Sequence, residues 1–217
     1  MSKKATGISN AHYAVFDTKK NIFEVPKPIK DLETLSITET YAEGSNYADN
    51  LRNIYIKELV GADLSLTFSN ISREIEAALT GQTYLKGELE YKTSAVAPQI
   101  ALLFEKTYSD GTSDRIVYYN CKLAKDNENG ETKTDSFNFV EDTLSGQAIP
   151  MSGSLKTKEN TGNPVTLDGV LKYVMDSASV TAAADTEVQK RFNKFFDRVQ
   201  FKAVSYTHLT LPTTERV

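Results

Sequence analysis

Between Leu35 and Gly81 the spacing of apolar residues changes from period two to helical period without a gap, and few architectures accommodate that. Leu35, Ile37, Glu39 and Tyr41 alternate with Ser36, Thr38 and Thr40, which predicts a strand with one buried face. Ala42 to Asn50 is rich in Gly, Ser, Asn and Asp, so it reads as a projecting loop, although it carries Tyr47 and follows Tyr41. Alternation returns at Ala62, Leu64, Leu66 and Phe68. Ile71, Ile75, Ala78 and Leu79 then take helical spacing, with Gly81 placed to end the helix.

The remaining elements are strand-rich. Ala11–Phe16, Gly87–Lys92, Ile100–Tyr108, Arg115–Leu123, Ser136–Val140, Thr143–Met151 and Val170–Asp176 read as strands. Asp17–Asn21 is a polar turn, and Ser109-Asp110-Gly111 supplies a hairpin turn. Lys125–Asp135 and Ser152–Gly162 read as loops. Val188, Phe192, Phe195, Phe196 and Val199 form one helical stripe behind the cap Asp185, expected to dock on the sheet with its basic face in solvent. The expected class is mainly β (α+β), with one short central helix, a C-terminal helix and long loops.

Order and spacing in this chain resemble the phi13-type major tail proteins of long-tailed phages. The resemblance rests on the alternating strand, the Tyr47-Ala48-Asp49 loop, Ala62-Asp63-Leu64-Ser65-Leu66, and the short helix ending Leu79-Thr80-Gly81. Val96-Ala97-Pro98 before Gln99–Phe104, and Thr143-Leu144-Ser145-Gly146, extend it over most of residues 5 to 200. It implies a β-sandwich or barrel-like tail tube fold. It also implies homo-hexameric rings stacked into a tube, with the tape measure and terminator proteins of the tail as further partners. DNA would pass through the lumen without specific binding, and the protein would sit in the virion tail after synthesis in the host cytoplasm. Tyr41 to Leu59 is then the ring-stacking arm, with Tyr41, Tyr47, Asp49, Asn50 and Tyr55 as its contact residues, loosely ordered in the isolated subunit.

Composition narrows the function further. A chain of 217 residues suits a single β-rich domain, and a net charge of −4 argues against a groove that neutralises phosphates. The single Cys121 makes no internal disulfide, and no Cys/His spacing suits a metal. Asp126, Glu128 and Asp135 lack the pattern of a calcium loop. No phosphate loop or nucleophile elbow occurs, so neither enzyme activity nor a cofactor is expected. No apolar run is long enough for a membrane span. Two rival readings stay open: an adhesion or carbohydrate-binding β-sandwich, and an enzyme pairing Cys121 with His12. Residues 1–203 form the expected domain. Val204 to Thr213 looks like an in-frame translation of a transposon-end sequencing adapter, so 204–217 is expected to lie outside the fold.

Overall fold

Ile100-Ala101-Leu102-Leu103-Phe104 is buried at every position, because the strand that contains it is covered on both faces. The computed structural model describes residues 3–48, 51–126, 141–155, 164–183 and 185–202, with the backbone alone for 46–48 and 51–53. In chain order the elements are β1 (Ala5–Asp17), β2 (Ile22–Phe23), β3 (Lys27–Pro28), β4 (Leu32–Ala48), β5 (Leu51–Phe68) and α1 (Arg73–Thr80). Then come β6 (Thr83–Leu85), β7 (Glu88–Glu90), β8 (Ile100–Tyr108), β9 (Ser113–Lys125), β10 (Asp142–Ala148) and β11 (Met151–Leu155). β12 (Val165–Val170), β13 (Lys172–Asp176), α2 (Ser177–Ala182) and α3 (Thr186–Asn193) complete the set. The protein is mainly β with few helices.

One antiparallel sheet runs β2-β1-β8-β9-β10-β5-β4, with β13 added to β9 and β3 to β1. Alternate residues of β8 serve two separate cores. Ile100, Leu102 and Phe104 join Leu64, Leu66, Phe68 and Leu79, enclosed where the sheet curls to bring β4 against β1 and α1 over β9. Ala101 and Leu103 join Val117, Tyr119, Met175 and Phe195 on the opposite face. There the segment after α3 is tied down by Tyr119, whose hydroxyl donates to Gln200 O at 2.7 Å and whose ring stacks on Phe201 at 5.3 Å.

Strand β9 changes sides by a bulge. Leu102 pairs with Tyr118 but Ile100 pairs with Cys121, so β9 spends one more residue than β8 over this interval. Tyr118 and Cys121, three apart, therefore face the same core. Gly146 sits where β10 crosses close to β9: a Cβ there would lie 1.9 Å from Lys122 O, which excludes any side chain.

Helix α1 starts at Ser72, whose side chain accepts from Ile75 N, and ends at Gly81 with φ 77°. Its Glu76 is fully buried and is held by two hydrogen-bond donors and one ammonium. Arg73 Nη1 donates at 2.7 Å, Lys125 Nζ on β9 lies at 3.2 Å, and the Tyr91 hydroxyl donates as well. Burial pushes the Glu76 carboxyl up, but these bonds and the Lys125 charge outweigh it and hold the pKa below the ordinary 4.5. A depressed pKa in the folded state contributes stability that is present above the unfolded value and lost as pH falls through the folded one. Acid titration monitored by circular dichroism is therefore expected to show stability declining below pH 4.5. Glu76→Gln should flatten that decline; an unchanged acid limb would show that Glu76 is not its source.

The structure corrects several sequence expectations. Residues 42–48, read as loop, continue β4. The helix expected to reach Val199 ends at Asn193, and Lys194 to Arg198 turn so that Phe195 and Val199 still reach the second core. Thr143–Met151 is broken before Pro150, and Ser152–Leu155, expected as loop, continue from Met151 as β11 paired with β12. Helix α2 was not foreseen, although Asp176 caps it by accepting from Ala178 N and Ser179 N. The expected strand Ser136–Val140, the loops 127–135 and 156–162, and residues 204–217 lie outside the described residues.

Candidate assembly surface

Strands β4 and β5 are paired from Leu32 and Phe68 at one end to Ala48 and Leu51 at the other. Support from the rest of the sheet stops early, since β10 pairs with β5 only over Ala62–Phe68. From Gly61 outward, among the described residues, the two strands pair only with each other. At ~3.3 Å per residue, Tyr41–Ala48 carries this ribbon roughly 25 Å past the sheet. Register shifts at Thr40/Tyr41 and Asn46/Tyr47 add local bends.

The small polar residues of β4 extend because of what lies opposite them. Gly44, Ser45 and Asn46 pair with Ile56, Tyr55 and Ile54, strong strand formers that a single-strand reading does not take into account. The arm is thus a hairpin and not a loop, which corrects the expected local structure while keeping the projection.

The two faces of the arm differ. On one, Lys57 Nζ lies 2.7 Å from Glu43 and 4.7 Å over the Tyr41 ring. The Tyr41 hydroxyl donates to Glu39 at 2.7 Å, and this bond raises the tyrosine pKa above 10.0. Glu39 is in turn held below its ordinary pKa, first by its hydrogen bond from Lys172 on β13 and then by that from Tyr41. The charges of this face are paired within the subunit, while Tyr41, Tyr55 and Leu59 on it stay exposed. On the other, Ile54 is 48% exposed and Ile56 53% exposed, with Glu58 following on the same side.

Of the residues expected at the contact, Tyr41 and Tyr55 are exposed on the arm and Tyr47 lies in β4 near its tip. Asp49 and Asn50 lie outside the described residues. Sequence reasoning missed Ile54, Ile56, Leu59 and Val60, all exposed apolar groups, although the Ile54-Tyr55-Ile56 run was a legible strand signal. The strand expected at Gly87–Lys92 is β7, but its partner β6 was missed; there Tyr84 and Leu85 are exposed beside a turn with positive φ at Lys86 and Gly87.

Beneath the arm, β4 forms one wall of a cleft of about 600 Å³. Ile8, Ile37, Phe104 and Ile116 line it, Lys106 stands within it, and the Glu39–Lys172 ion pair borders it.

The pair required by an enzyme reading is not assembled. Cys121 faces the first core, its Sγ 3.6 Å from Tyr118 O, and burial pushes its thiol up to about 12. His12 stacks at 5.0 Å on Phe196, which packs against the second core, and its Nδ1 lies 2.8 Å from Asn10 O. Among the described residues, no group of three His, Cys, Asp or Glu is placed to hold a metal ion, and no helix is long and apolar enough to cross a membrane. No protein-family model matches the chain, and no curated protein matches its sequence.

Proposed function

We propose that this chain is a tail tube subunit of a long-tailed phage, a structural virion protein that self-assembles into stacked rings around a DNA conduit. The observation that carries the reading is the unsupported arm. A two-stranded hairpin alone is marginal in water, and among the described residues this one has an unpaired strand edge on each side and exposed apolar side chains. A partner that covers it stabilises it, and a second copy of the chain is the partner that the sequence resemblance supplies. Heterologous contacts between identical subunits propagate until they close into a ring or extend as a filament. The net charge of −4 suits a conduit, because basic walls would hold phosphates at many points. Tape measure and terminator proteins are the remaining partners of such a tube.

Negative-stain microscopy of the purified chain over a concentration series tests this. Rings or hollow tubes that increase with concentration are the expected outcome. Monodisperse monomers throughout, retained on immobilised glycans, would overturn it in favour of a carbohydrate-binding module.

A further inference from the structure

We infer that the cleft between β4 and β8 is the receptor for the arm of a second copy of this chain, with Ile54 and Ile56 entering its apolar floor and Glu58 pairing with Lys106. The inference rests on the tube reading and names the acceptor that the reading leaves open.

Three observations select this occupant. The first is charge. Glu58 is exposed and Lys106 lies within the cleft, and neither has an oppositely charged partner among the described residues; the Lys106 ammonium approaches only the Tyr108 ring, at 5.8 Å. The neighbouring charges are already paired, Lys57 with Glu43 and Lys172 with Glu39. Among the described residues, Glu58 on the arm and Lys106 in the cleft are thus complementary.

The second is spacing. On β5, Ile56 and Glu58 are two residues apart on one face; on β8, Phe104 and Lys106 are two residues apart on the face that lines the cleft. Both steps span roughly 6.8 Å, so an apolar contact of Ile56 near Phe104 and Ile116 places Glu58 at Lys106. Opposite Ile56 and Glu58 stand Gly44 and Ala42, which leave these two side chains standing out from a low surface.

The third is connectivity. Residues 35–39 of β4 form a wall of the cleft, and the same strand runs straight on into the arm. A continuous paired strand does not fold back into the cleft it borders, so the arm is directed away from its own receptor and docks in trans. Each copy then offers one arm and one cleft, a head-to-tail arrangement. A cleft of about 600 Å³ is within the range that accepts buried side chains of a ligand.

Charge reversal tests the pairing. Sedimentation velocity of the full chain should show Glu58→Lys and Lys106→Glu each weakening self-association by roughly tenfold or more, and the double variant recovering to within about threefold of the parent. Ile56→Asp, at an exposed position, should weaken it without any change at the cleft. Mixing Ile56→Asp with Lys106→Glu leaves one intact arm and one intact cleft, so the mixture should give a 1:1 dimer and nothing longer. Single reversals that assemble like the parent would overturn the inference while leaving the tube reading in place; that result is also expected if the cleft holds some other partner. A double variant as weak as the singles would overturn it too. A parent chain that stays monomeric at every concentration would remove the tube reading itself.

Discussion

Phe195→Ala is expected to lower the stability of the folded subunit by about 3 to 5 kcal/mol, the range found when a buried aromatic is truncated. Phe195 has no exposed surface, meets the Phe196 ring edge-on at 5.4 Å, and lies in the core shared by Val117, Tyr119, Met175 and Val199. Helix α3 before it has eight residues and none of them is fully buried, so it does not stand without tertiary anchoring. Phe195 supplies that anchor from the turn that follows. The neighbouring Phe192 is only partly buried and has the Arg115 guanidinium 4.0 Å over its ring, so its truncation should cost less. Urea denaturation should show the Phe195→Ala midpoint lowered with its slope unchanged. A midpoint within about 0.5 kcal/mol of the parent, as at an ordinary surface site, would mean that the C-terminal segment is not held by this core.

Removing the arm should have the opposite signature, with assembly lost and folding retained. Glu43 and Lys57 face each other across the hairpin, so residues 44–56 can be replaced by an Asn-Gly turn that closes the ladder at that pair. Of the residues in 44–56 whose side chains are described, none belongs to either core, and the Lys57–Glu43 contact is kept. A shorter connection changes loop-closure free energy only slightly. The shortened chain is expected to melt with the parent and to sediment as a monomer where the parent assembles. Melting several degrees lower would show that the arm supports the subunit's own fold. Assembly unaltered by the replacement would show that subunits meet elsewhere.

What the sequence disclosed follows the range of the interactions involved. The run Ile100–Tyr108, the turn through Gly111 and the returning strand were legible because their apolar pattern and turn chemistry are local. The cap and stop of α1 at Ser72 and Gly81 are local too. The arm was legible as a projection but not as a hairpin, because Gly44, Ser45 and Asn46 extend through pairing with Ile56, Tyr55 and Ile54, a property of two segments together. Helix α3 was read too long since Phe195 and Val199 keep helical spacing while reaching the core from a turn. The cleft was invisible for the same reason. Ile8, Ile37, Phe104 and Ile116 come from four strands that only the curled sheet brings together.

In the proposed tube, the β4–β5 arm joins one subunit to the next. Electron cryomicroscopy of assembled full-length protein reads this directly, from where the hairpin density beyond Gly61 lies. The expected result is an arm that crosses a subunit boundary with its Ile54 and Ile56 face covered by a neighbouring copy. Particles whose subunits touch through other surfaces, with that face of the arm bare in solvent, would contradict it.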